Sequence, residues 1–156
     1  MRLILITLTG LAALFGGFAV NAQQREVPYW ASMKFDTVNM RVGPGQDYKI
    51  DWVYKRKGLP VKVVRLREGW RLLQDPDGTQ GWVNESQLLL TRMALVTGEG
   101  LTAIRAEPNA SAAIKWNAQS GVVGKLGDCD MGWCELNVAG RAGWVREDRL
   151  WGTGAP

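Results

Sequence analysis

The chain says nearly the same thing twice. Asn39-Met40-Arg41-Val42-Gly43-Pro44 returns as Ala103-Ile104-Arg105-Ala106-Glu107-Pro108, and Ile50-Asp51-Trp52 returns as Ile114-Lys115-Trp116, both 64 positions on. Gly69-Trp70 returns as Gly132-Trp133 after 63 positions, and Gly81-Trp82-Val83 as Gly143-Trp144-Val145 after 62. The offset slips by one residue at each of two loops, where chains tolerate deletion. Two copies of a short unit punctuated by Trp and Gly predict tandem small domains. Such an organisation favours a binding or scaffolding protein over an enzyme.

Ahead of the repeat lies a segment with the features of an export signal. Arg2 supplies a positive start, Leu3 to Val20 is uncharged and mostly apolar, and Val20-Asn21-Ala22 offers small residues for cleavage before Gln23. An apolar run of 18 residues is also barely long enough to span a bilayer, so membrane association is expected only if the segment is retained. The expected division is a signal helix over 1–22, a loose polar leader over 23–34, domains over 35–91 and 92–152, and a tail over 153–156. Each half is about 60 residues and marginal alone, so the halves are expected to pack together or rely on idealised strands.

The net charge is +4. Residues 38–90 hold nine Lys/Arg against six Asp/Glu, and residues 101–152 hold six of each. This is far from the basic stripe of a nucleic-acid binder. An acidic glycan, a peptide or a phospholipid headgroup suits a mildly basic exported domain better. There is no His, and the two cysteines are Cys129 and Cys134. A lone Cys-x4-Cys without His lacks the four ligands of a zinc site, so an exported chain is expected to oxidise the pair to a disulfide.

Local patterns are those of β-structure. Val61 to Leu66 is rich in β-branched residues and is bounded by Pro60 and Gly69. Asp75-Pro76-Asp77-Gly78 predicts a turn closing a hairpin from Trp70–Gln74 onto Gln80–Val83. Asn84 to Gln87 reads as one helical turn before a closing strand at Leu88–Leu90. The second copy repeats this grammar, with tight turns at Asp130-Met131-Gly132 and Ala139-Gly140. Cys129 and Cys134 flank the first of these turns and should face each other across the hairpin. No segment sustains a helical period. An all-β fold follows, with five short strands and one helical turn per copy in a small barrel.

The motif Asn39-Met40-Arg41-Val42-Gly43-Pro44-Gly45, the later Gly-Trp pair and Gly-Trp-Val resemble the bacterial SH3 domain. Trp52 to Val61, Asp75 to Gly78 and Gly132-Trp133-Cys134 are similar to tandem bacterial SH3 (SH3b-type) proteins of alphaproteobacterial envelopes. The resemblance covers about residues 30–152. It implies a five-stranded SH3-like barrel in each half and a periplasmic or secreted location. It also points to binding of peptidoglycan peptides, by analogy with related modules usually attached to wall hydrolase domains. The second copy departs from the motif at Ala106 and Glu107, which sets a shared ligand for both copies in doubt.

Candidate binding residues concentrate in the first copy: Tyr48, Trp52, Tyr54, Lys55 and Arg56, with Lys57 beside them, whereas the matching places in the second are Ala112, Trp116, Ala118, Gln119 and Ser120. Flat aromatics give large contact area at low entropic cost, and neighbouring cations attract carboxylates. Tyr48 and Tyr54 stand out because the second copy lacks them. Trp52, kept in both copies, equally suits packing. Trp70 and Trp133 sit beside a turn that faces any groove. Trp82, Trp144, Arg41 and Arg105 read as structural. Catalysis finds little support: no His can activate a nucleophile, no phosphate-binding loop is present, and Asp75 and Asp77 are explained by their turn. No cofactor and no nucleotide are expected. The expected function is non-enzymatic recognition of a wall peptide, glycopeptide or envelope protein segment, with a structural adaptor lacking wall binding as the alternative.

Overall fold

The computed structural model describes residues 25–156, so the export segment expected over 1–22 lies outside the described residues. The first copy contains β1 (Tyr29–Met33), β2 (Val38–Arg41), β3 (Ile50–Tyr54), β4 (Pro60–Arg67), β5 (Trp70–Gln74), β6 (Gln80–Asn84) and β7 (Leu88–Leu89). The second contains β8 (Met93–Val96), β9 (Thr102–Arg105), β10 (Ile114–Ala118), β11 (Val123–Asp130), β12 (Trp133–Val138), β13 (Arg141–Arg146) and β14 (Leu150–Trp151). A single 3-10 turn precedes the last strand of each, at Glu85–Gln87 and Glu147–Arg149. The sheet orders are β3-β2-β6-β5-β4-β1-β7 and β10-β9-β13-β12-β11-β8-β14, the same topology twice.

The predicted hairpins form where turn chemistry placed them. Asp75 Oδ1 accepts from the backbone N–H of Asp77 at 3.0 Å and of Thr79 at 2.9 Å, and Gly78 N donates to Asp75 O at 3.0 Å. One Asp side chain thereby satisfies the amides that a tight turn strands. Cys129 lies directly opposite Cys134 in the β11–β12 ladder, and the two are joined as a disulfide.

Each copy has its own core at equivalent places. Met33, Met40, Val63, Leu73 and Val83 are buried in the first, and Val96, Ile104, Leu126, Leu136 and Val145 in the second. Alternation along β6 and β13 sends one side chain inward and the next out.

The expected all-β fold of two tandem small barrels holds, and short pieces before and after the central hairpins bring each sheet to seven strand segments where five were expected. One expectation needs correction. The leader expected over 23–34 is not loose beyond Pro28. Tyr29–Met33 pairs with β4 on one side and β7 on the other, and its last four residues are all buried. The strand is covered on both faces because the second copy packs against it. Trp30 stands edge-on to Trp151, with ring centroids 5.1 Å apart, and its Nε1 donates to Gly154 O at 3.1 Å. Ser32 Oγ donates to Thr91 O at 3.0 Å, and Arg92 Nη2 to Gly152 O at 2.7 Å. Gly152 has φ +103°, and a Cβ there would lie 2.5 Å from Met93 O. Only glycine allows that approach between chain segments.

Candidate functional site

β3 is the end strand of its sheet, and Ile50, Asp51, Trp52 and Val53 on it are exposed. Trp52 and Tyr54 share one face by the two-residue period, but they meet different surroundings. Trp52 is 59% exposed, whereas Tyr54 is 7% exposed and belongs to the first core. Tyr54 Oη donates to Asp75 Oδ2 at 2.9 Å. Burial foremost, then the hydrogen bond to Asp75 and the charges of Asp75 and Asp77, push the Tyr54 phenol above its ordinary value. The expectation that Tyr54 is a better ligand contact than Trp52 is therefore reversed. Tyr54 is a floor and Trp52 is an open wall.

Trp52, Tyr54 and Arg56 converge on one cleft of about 440 Å³. The hairpin residues Asp75, Pro76, Asp77 and Thr79 form a second side, and Leu95 and Gly121 of the second copy close it. Arg56 bridges the copies by donating from Nη1 to Gly121 O. The cleft thus presents a flat indole, a guanidinium, an exposed carboxylate at Asp77 and a buried one at Asp75. This combination suits a peptide or glycopeptide bearing both apolar and polar groups.

The other expected site residues lie elsewhere. Lys55 is exposed, with Nζ 3.4 Å from Thr37 Oγ1. Tyr48 lies over the backbone at Gly43, where an added Cβ would fall 2.4 Å from its ring, and it does not line the cleft. In the second copy Glu107 and Ala112 occupy these two positions, so the space and the ring that needs it are lost together. Trp70 is half-buried in a separate polar recess with Asn39, Arg41, Gln46 and Asn84. The matching recess around Trp133 holds Arg105, Arg146 and Arg149 instead. Arg41 and Arg105 each donate at 2.6 Å to a carbonyl seven residues on, Tyr48 O and Ala112 O, so both pin a loop.

Sequence reasoning missed Leu59, Leu95 and Gly121 as cleft residues and assigned Asp75 and Asp77 to their turn alone. The turn assignment is right, and the turn also builds a wall. Leu95 and Gly121 carry no local signal, since only the packing of the two copies brings them to Trp52.

Two solved structures resemble the chain weakly. NlpC1 from Trichomonas vaginalis is 14% identical with a TM-score of 0.37, over 83% of this chain and 47% of that one. NlpC2 from the same organism gives 14% and 0.37, over 81% and 49%. The chain therefore spans about half the length of either structure. No curated protein matches the sequence. The model of the bacterial SH3 domain matches residues 34–89 and again 99–152, which together are most of the chain. With one all-strand topology built twice from a repeated motif, the chain belongs to the bacterial SH3 domain family and carries that domain in tandem.

Proposed function

We propose that this is a non-enzymatic exported module that recognises a cell-wall peptide or glycopeptide through the cleft between its two domains. The observation that carries this reading is the convergence of Trp52, Tyr54 and Arg56 on one cavity that both copies wall. A large exposed indole at a concave, mixed polar and apolar site is the kind of anchor that dominates binding energy. Membership of the bacterial SH3 family supports this reading, because related modules often bind peptidoglycan. The carboxylate of Asp75 is committed to three hydrogen bonds inside the fold, which argues against a role as an acid or base.

The test is co-sedimentation with purified peptidoglycan. Trp52→Ala is expected to weaken retention by about tenfold with an unchanged melting temperature, because an anchor aromatic is lost from an exposed position. Trp70→Ala should leave retention nearly intact. Retention of wild type and Trp52→Ala alike would move the site elsewhere, and no retention of wild type would sink the wall reading.

One observation favours the alternative, an adaptor that docks an envelope protein. β3 ends its sheet with Ile50, Trp52 and Val53 exposed, and such an edge offers unpaired main-chain groups to an added strand. Loss of partner capture on introducing Val53→Pro, without any wall retention by wild type, would decide for it.

A further inference from the structure

The second copy shows what the tryptophan shared by both copies can hold. Trp116, the counterpart of Trp52, is covered by the guanidinium of Arg141, whose Cζ lies 4.9 Å from the ring centroid. The two tryptophans occupy matching ladder positions, Trp52 opposite Met40 and Trp116 opposite Ile104. Arg141 stands two residues before Gly143 of Gly-Trp-Val, where the first copy has Thr79 two residues before Gly81. Threonine is too short to cover an indole. Trp116, which also packs against the second core, is half-buried, while Trp52 is 59% exposed.

The hairpin that lost the cation gained acids. Val138 of the second copy corresponds to Asp75, and the longer loop of the first copy adds Asp77. Both aspartates line the cleft beside Trp52, and among the described residues neither forms an ion pair. Asp75 is 7% exposed, and its three hydrogen bonds come from neutral donors. Arg56, the cationic side chain lining the cleft, donates to Gly121 O. A desolvated carboxylate is stabilised by an opposite charge, and an indole face attracts a cation most strongly among the aromatics.

We propose that the ligand of this cleft is a peptide presenting a long cationic side chain, which crosses Trp52 as Arg141 crosses Trp116 and turns its charge toward Asp77 and Asp75. This deepens the proposed function and rests on its placement of recognition in the cleft. The aliphatic stem packs on the indole, and the charged head reaches the acidic hairpin.

The test is an NMR titration of the full chain, following indole N–H resonances, with acetyl-Ala-Lys-Ala-amide and its norleucine analogue. The lysine peptide should shift the Trp52 resonance and bind at least about tenfold more tightly than the norleucine peptide, since only the former supplies a cation. Asp77→Asn should weaken lysine binding. Thr79→Arg, which places the second copy's cation over Trp52, should abolish it without lowering the melting temperature. Equal binding of the two peptides, binding of neither, or full binding by Thr79→Arg would overturn the inference. Parallel peptidoglycan sedimentation separates the two readings. Retention without lysine preference leaves wall recognition standing and removes the cation. Lysine-specific binding without retention does the reverse.

Discussion

Where the second copy joins Cys129 to Cys134 across its long hairpin, the first places Leu66 opposite Arg71. Arg71 ties the same corner by other means, pairing with Glu85 and donating to Tyr29 Oη at 3.2 Å. Where the first copy buries Tyr54 against Asp75, the second has Ala118 and Val138. Where the first lays Tyr48 over Gly43, the second has Ala112 and Glu107. Each difference is an exchange of a pair. A buried phenol facing valine would leave its hydroxyl unsatisfied, at a cost of roughly 1–3 kcal/mol. The backbone frame is shared, and the side chains that brace it change in coupled sets.

The sharpest break in this comparison tests whether the shared core is energetically equivalent. Leu73 and Leu136 occupy matching positions and are 1% and 0% exposed. Leu73→Ala and Leu136→Ala should each destabilise by about 3 kcal/mol, from lost transfer energy plus a cavity. Guanidinium unfolding monitored by fluorescence measures both, and a cost confined to one copy would show that the frames are not equivalent.

A smaller effect separates the braces. Cys129→Ala combined with Cys134→Ala should cost about 2 kcal/mol in the chain-entropy account of a short loop. Amide exchange should rise in β11 and β12 and stay unchanged in β4 and β5. Equal loosening of both hairpins would mean that the crosslink acts on the whole molecule.

The smallest change is Tyr54→Phe, expected to cost about 1–2 kcal/mol by leaving Asp75 short of a donor. It also carries a pH signature. The folded chain holds the Tyr54 proton more tightly than the unfolded chain, whose phenol titrates near the ordinary 10.0. The contribution is complete below that pH and is lost as pH rises above it. Denaturation between neutral and strongly alkaline pH should show this decline in wild type and a shallower one in Tyr54→Phe. Identical slopes would place the alkaline transition elsewhere, since the second copy has Ala118 at this position.

Much of the frame was legible because glycine, tryptophan and turn residues act locally. Asp75-Pro76-Asp77-Gly78 specifies its hairpin with its own amides and carboxylate, and Cys129 and Cys134 straddle a turn short enough to dictate their pairing. β1 was not legible. Tyr29-Trp30-Ala31-Ser32-Met33 shows no alternation, since its two faces are covered by different copies, and it follows charged residues and a proline. The cleft was half legible. Trp52, Tyr54 and Arg56 drew attention through their chemistry, but nothing local tells a buried ring from an open one on the same strand face. That distinction comes from where β3 runs past the edge of the core. Leu95 and Gly121 enter only through contact between the copies, which no single segment encodes.

The seam between the copies has a consequence for biogenesis. Trp30 finds its hydrogen-bond acceptor at Gly154, 124 residues later in the chain. During synthesis the first barrel can close on its own strands long before that glycine exists. The contacts of Trp30 with Trp151 and Gly154 can form only once both copies have been made, so the seam between the copies is completed later than the core of the first.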